Sequence, residues 1–338
     1  MTVKLGRTNL SVNKDALGAL PLQRVSMDEA EIILNRALDG GINFIDTARG
    51  YSDSEEKISA AISSRKSEFF IATKTHAKTG DELKKDIDTS LSKLKIDCID
   101  VFQFHNPPVI PSPGAEDGLY DAALELKAQG KIRFIGLSSH RLPAATEAVT
   151  SGLFDSLQFP FSYLSSEEEI SLVKLCAEKD VGFIAMKALS GGLLTNIHAA
   201  RAWMTRFSNV VPIWGIQRLG ELEQLFDAAK QTGGPSSEHE ALIEKDRSDL
   251  GGDFCRACGY CLPCPAKIPI NTSARISLLM RRSPFARFIT ADYQAIMNRI
   301  DDCQNCGHCK SHCPYGLDTP ALLKKNLKWY REFIAHNG

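Results

Sequence analysis

Residues 43–74 read NFIDTARGYSDSEEKISAAISSRKSEFFIATK, one complete unit of what the chain goes on to repeat. An apolar run, 43–47, leads into a loop. A segment with helical apolar spacing follows behind the acidic pair Glu55 and Glu56, and a second apolar run ends at Lys74. Apolar runs without polar alternation suit strands covered on both faces, and a helix between two of them suits a parallel pair. Ser54, just before the acidic pair, reads as a helix start signal.

Outward from this unit, eight such runs read as buried strands, at about 16–20, 43–47, 69–74, 98–105, 134–139, 156–161, 182–187 and 210–215. Helical patterns lie between and after them near 27–39, 54–63, 81–94, 118–129, 143–151, 167–179, 199–207 and 219–229. Ser26 before MDEAE, and Ser165 with Ser166 before Glu167, Glu168 and Glu169, mark two of the starts. Eight consecutive βα units predict an α/β fold, a (β/α)8 TIM barrel over residues 1–230. An open doubly wound sheet would carry a G-x-G-x-x-G turn after its first strand, whereas PLQRVSMD follows Leu20. The leading VKLGRTNLSV reads as a hairpin turning at Gly6–Asn9, placed to plug the lower end of the barrel.

The chain has 338 residues, 43% of them hydrophobic, which is enough for a large core and more than one domain. Its first residues contain no apolar secretion segment, and no stretch reaches the roughly 18 uncharged apolar residues of a membrane span. A cytoplasmic location is expected, with neither nucleic acid nor membrane as a partner. Charge divides the chain: residues 251–338 hold 12 Lys+Arg against 6 Asp+Glu, and residues 1–250 hold 28 against 35. A linker is expected at 231–252, where Gly233–Gly234–Pro235 and Gly251–Gly252 bracket a short charged helix. The second domain, 253–338, shows helical patterns between its cysteine motifs and a closing helix at 319–335.

Eight of the ten cysteines lie in that second domain. A disulfide framework suits short secreted chains, so metal ligation is favoured here. Cys303, Cys306, Cys309 and Cys313, followed by Pro314, have the spacing of the bacterial iron–sulfur run. Cys255, Cys258, Cys261 and Cys264, followed by Pro265, differ by one residue in the last spacing. Eight thiolates suffice for two [4Fe–4S] clusters, with paired zinc sites as the alternative. The expected ligation is crossed: three cysteines in a tight turn grip three corners of a cubane, while the fourth leads away after its proline. This pairs Cys255, Cys258 and Cys261 with Cys313, and Cys303, Cys306 and Cys309 with Cys264. Arg275, Arg281, Arg282 and Arg287 would offset the negative charge of such clusters.

In the barrel, Asp46 and Tyr51 follow the second strand, Lys74 ends the third and His105 ends the fourth, on the face where such barrels carry out chemistry. A strand-end Lys needs a partner, and Asp46 is one strand away. Beside a Tyr, that Lys is expected to lower the phenol's pKa. Taken alone, His105 has the plainer reading of a satisfied strand-end histidine and Tyr51 that of a loop aromatic. Four together on one face favour a site.

KLGRTNLSV, GINFIDTARGYSDSEEKI, IATKT, IDVFQFHN, GKIRFIGLSSH and GFIAMKALSGGLL, with CGYCLPCP and CGHCKSHCPYG in the tail, together resemble the aldo-keto reductases, in the subgroup with a C-terminal [4Fe–4S] ferredoxin-type extension. The resemblance covers nearly the whole chain. It implies hydride transfer between NADPH, or NADH, and a carbonyl, with Tyr51 as general acid, Lys74 and Asp46 tuning it, and His105 polarising the carbonyl oxygen. It also implies cofactor contacts by Ser138, Gln158 and Met186, and by Gly215, Gln217 and Arg218 after the eighth strand, with Arg218 placed for a 2′-phosphate. A small-molecule carbonyl is the implied substrate, with a redox partner protein as a further candidate. The alternative is a non-catalytic redox-sensing or scaffold module on the same fold.

Overall fold

The structure is a computed structural model and describes residues 2–231, 233–250, 254–282 and 285–337. It divides into two compact units: residues 1–188 with 197–240, and residues 189–196 with 241–338.

The first unit opens with β1 (Thr2–Lys4) and β2 (Ser11–Asn13), an antiparallel pair joined through a 3-10 turn at Gly6–Thr8. The barrel strands follow as β3 (Ala16–Gly18), β4 (Phe44–Asp46), β5 (Phe70–Thr75), β6 (Ile99–His105), β7 (Ile132–Ser138), β8 (Ser156–Pro160), β9 (Gly182–Met186) and β10 (Val210–Gly215). All eight expected strands form, and they close in the order β10-β3-β4-β5-β6-β7-β8-β9, every pair parallel. The helices are α1 (Met27–Asp39), α2 (Ser54–Ile62), α3 (Gly80–Leu94), α4 (Leu119–Ala128), α5 (Leu142–Ser151), α6 (Glu167–Glu178), α7 (Ile197–Met204) and α8 (Leu219–Ala229). Ser26 and Ser166 each form a capping box, with Glu29 and Glu169. Ser54 does not cap: it lies inside α2, buried, and its hydroxyl donates to the Ala19 carbonyl. The seventh helix runs two residues earlier at its start and three earlier at its end than the pattern suggested.

The hairpin fills the barrel floor. Leu5, Leu10 and Val12 are buried with Phe44, Ala72, Val101, Ile184 and Val211 from the barrel strands. Gly6 makes this approach possible: its φ is +50°, and a Cβ there would lie 2.3 Å from the Gly182 nitrogen at the start of β9.

α9 (Ser237–Leu250) is the short charged helix expected in the linker; the second glycine pair, Gly251–Gly252, and the first domain residue, Asp253, lie outside the described residues. The second unit holds α10 (Ile270–Ser273), α11 (Ile276–Arg282), α12 (Ala291–Asn298), α13 (His308–Ser311) and α14 (Thr319–Asn337), with no strand among its described residues. Its core gathers Ile268, Ile276, Met280, Phe288, Met297, Ile300, Leu323, Leu327 and Tyr330 with Cys261 and Cys309. The Arg282 side chain is also outside the described residues. Among the described residues, no helix is long and apolar enough to cross a membrane.

Candidate active site and thiol sites

β4, β5 and β6 are neighbours, so the ends of these strands bring Asp46, Lys74 and His105 side by side, and the loop after β4 returns Tyr51 to them. Lys74 is fully enclosed; its Nζ lies 2.6 Å from Asp46 Oδ2 and donates to the Thr47 carbonyl at 2.8 Å. The other carboxylate oxygen of Asp46 accepts from the amides of Gln103 at 3.1 Å and Gln158 at 2.9 Å. Lys74 Nζ lies 5.1 Å from the centre of the Tyr51 ring, and the Tyr51 and His105 rings meet edge to face at 6.1 Å. Both of those residues are half-buried.

Electrostatics correct the expectation for Tyr51. Burial and the Asp46 charge push its pKa up rather than down, so the phenol keeps its proton at neutral pH. Lys74 does not offset this rise, because its ammonium lies over the ring face and its charge is balanced by Asp46. Burial pulls Lys74 itself down, opposed by Asp46. His105 is held well below its ordinary value by burial, then by the charges of Lys74, His76 and His140. It therefore stays neutral. Its Nδ1 is buried without a hydrogen-bond partner, as is Gln103 Oε1. His76 stacks on His105 at 3.8 Å with planes 15° apart.

Gln103 is a site residue that the sequence reading missed, although a signal exists: in IDVFQFH it shares the inward face of alternate positions with His105.

The expected cofactor contacts fall into two groups. Ser138 ends β7, and its hydroxyl accepts from the Asn106 backbone N–H at 3.2 Å. Gln158 donates one of its two amide N–H groups to Asp46, and its oxygen is open to a donor. Met186 ends β9, half-buried against the barrel core. Gly215, Gln217 and Arg218 stand apart from these, the first ending β10 and the other two in the turn before α8. There the Glu221 carboxylate accepts from the backbone N–H groups of Gln217 at 2.8 Å and Arg218 at 3.2 Å. A residue of this chain thus occupies the anion position at the start of α8. Trp214 and Leu225 are buried, the former donating its indole N–H to Asp15 at 3.0 Å.

In the second unit, Cys264, Cys303, Cys306 and Cys309 line one cavity, walled mostly by Pro265, Ala266, Ile268, Ile270, Pro320 and Leu323. The other four thiols form a second group, since Cys258 and Cys313 both bear electrostatically on Cys255, and Cys255 and Cys258 bear on Cys261 more strongly than Cys309 does. Arg256 lies 4.4 Å from the centre of the Tyr315 ring, which draws the neighbourhoods of Cys255 and Cys313 together. Burial pushes the Cys261 thiol up to about 12 and raises Cys255 and Cys309, so thiolates here call for a bound metal. Among the described residues no three His, Cys, Asp or Glu side chains form a group that could hold a single metal ion. Four soft donors spread around an apolar-walled space fit a four-iron cubane.

Residues 15–242 match the model of the aldo/keto reductase family, and residues 254–318 match that of the 4Fe-4S dicluster domain. The uncharacterized oxidoreductase YqkF of Bacillus subtilis is 30% identical over 206 residues, 57% of this chain and 66% of that protein. L-galactose dehydrogenase of Arabidopsis thaliana is 30% identical over 210 residues, 56% and 66% respectively. The chain thus spans just under two thirds of these relatives. The holo form of aldo-keto reductase AKR11C1 from Bacillus halodurans shares the fold, with a TM-score of 0.63 at 21% identity, over 72% of this chain and 95% of that one.

Proposed function

Because the chain belongs to the aldo/keto reductase family and carries a 4Fe-4S dicluster domain, we propose that it is an NAD(P)H-dependent oxidoreductase reducing a small aldehyde or ketone. The observation that carries this reading is the buried Lys74–Asp46 pair against the ring of a protonated, half-buried Tyr51. A scaffold has no need for a buried ion pair beneath a phenol, since removing either partner would be costly.

Tyr51 donates its proton to the carbonyl oxygen, converting it to a hydroxyl. Neutral His105 orients that oxygen by a hydrogen bond and, being uncharged, does not compete as the acid. Lys74, fixed by Asp46 and Thr47, stabilises negative charge that develops on Tyr51 as the proton leaves. The orphan polar atoms, with Ser138 and the open oxygen of Gln158, suit a nicotinamide carboxamide; Met186 would flank the ring, and Gly215, Gln217 and Arg218 would serve the far end of the cofactor. A bound nicotinamide would supply hydride, two electrons together, whereas a cluster exchanges one. Carbonyl reduction at Tyr51 is accordingly independent of the tail, where Cys255, Cys258, Cys261 and Cys313 hold one cluster, Cys264, Cys303, Cys306 and Cys309 the other, and both keep the helices folded.

The test is an anaerobic screen of aldehydes and ketones with NADPH and NADH, alongside cofactor-fluorescence titration. Turnover that depends on Tyr51 supports the reading. Absence of binding of either dinucleotide at millimolar concentration would favour a scaffold.

A further inference from the structure

Arg275 lies between α10 and α11 and is only 3% exposed, although a guanidinium cannot shed its charge. Its Nη2 donates to the Gly191 carbonyl at 2.5 Å, within the same unit. Its Nη1 is buried with no hydrogen-bond partner. Gly191 is packed against this group: with φ +66°, it would place a Cβ 3.1 Å from Nη1. Ala274 and Ile276, on either side of Arg275, belong to the core against which Cys255 packs, and Cys255 is the ionisable group that bears on the guanidinium. A buried cation with a donor left over calls for an anion. Four thiolates on a cubane supply one, and reduction adds a further negative charge. The group of Cys264, Cys303, Cys306 and Cys309 is different: neither Lys nor Arg lines its cavity, and the cations in the groove beside Cys303, namely Lys324, Lys328 and Arg331, are exposed and screened by solvent.

We propose that Arg275 is a hydrogen-bonded counter-charge to the cluster held by Cys255, Cys258, Cys261 and Cys313, fixed in place by Gly191, and that it makes this cluster the more easily reduced of the two. This rests on the two-cluster reading. A fixed cation and an N–H donated toward cluster sulfur both stabilise the state with the extra electron, so this cluster takes the first electron that enters the tail.

The experiment is potentiometric titration of the anaerobic full-length protein, followed by electron paramagnetic resonance, after iron and sulfide analysis. The wild type should show two separated midpoints. Arg275→Met should lower the higher one enough to cut the reduced-to-oxidised ratio at least tenfold at the wild-type midpoint, or 59 mV for one electron, with the lower midpoint unmoved. Arg275→Lys, which keeps the charge without the planar fork, should fall between. Should Arg275→Met fail to assemble both clusters, Gly191→Ala decides, because it keeps the guanidinium and displaces its anchor; a smaller drop in the same midpoint is expected. Unchanged midpoints, or equal shifts in both, with about eight iron per chain would overturn the proposal. A wild type with about four iron or fewer would instead reject the two-cluster reading and the proposal with it, an outcome that iron analysis identifies before any titration.

Discussion

Tyr51 holds its proton through its own burial and the nearby carboxylate, and Lys74 acts by being present when that proton departs. Tyr51→Phe keeps the ring, so carbonyl reduction should fall by roughly two to four orders of magnitude with cofactor affinity little changed; steady-state rates and a binding titration check this. Lys74→Met strands Asp46 as a buried charge and should lower stability by about 3–5 kcal/mol, readable by denaturant unfolding. His105 adds a pH signature. Its folded pKa is depressed, so the unfolded chain binds more protons below about pH 6.5 and stability falls as pH drops through that region. His105→Gln should flatten the decline, and an unflattened curve would assign it to other groups. The four candidate catalytic residues were legible because three are polar groups where an apolar strand ends and Tyr51 lies in the loop that follows one. The direction of the Tyr51 shift was not, since it depends on whether the ammonium meets the hydroxyl or the ring face, which spacing along the chain does not encode.

At the scale of elements, all eight strands could be read from apolar runs because both faces of a barrel strand are covered. Helix ends were less legible. Ser54 looked like a cap, but its hydroxyl found a better acceptor in Ala19, a residue thirty-five positions away. The start of α8 yields a further prediction. Glu221 fills the amides of Gln217 and Arg218, and a phosphate cannot share them. Glu221→Ala should therefore tighten NADPH binding about tenfold relative to NADH while costing about 1 kcal/mol of stability as the cap is lost. Paired fluorescence titrations and a melting curve read the two opposite effects. Equal changes for both dinucleotides would place the 2′-phosphate elsewhere.

For the whole molecule, charge and cysteine content announced a second part of the chain, and its helical character followed from the apolar spacing between the motifs. Residues 189–196, which group with the tail although they follow β9 directly, were not visible, because nothing in a glycine-rich loop names the remote arginine that holds it. Anaerobic protein should contain about eight iron and eight sulfide per chain. Cys309→Ser should lower far-UV helicity well beyond the loss of one turn, since metal binding here is coupled to folding; an unchanged spectrum and melting curve would show that the helices stand alone. The placement of Cys313 beside Cys255, and of Cys264 with the later motif, also bears on how the protein matures. In the proposed ligation each cube is laced through both ends of the tail. Whichever is inserted first closes the long loop between the motifs and removes that search from the second insertion. Assembly would then be all-or-none, with half-loaded chains scarce, and oxygen damage to either cube would loosen the hold on its neighbour.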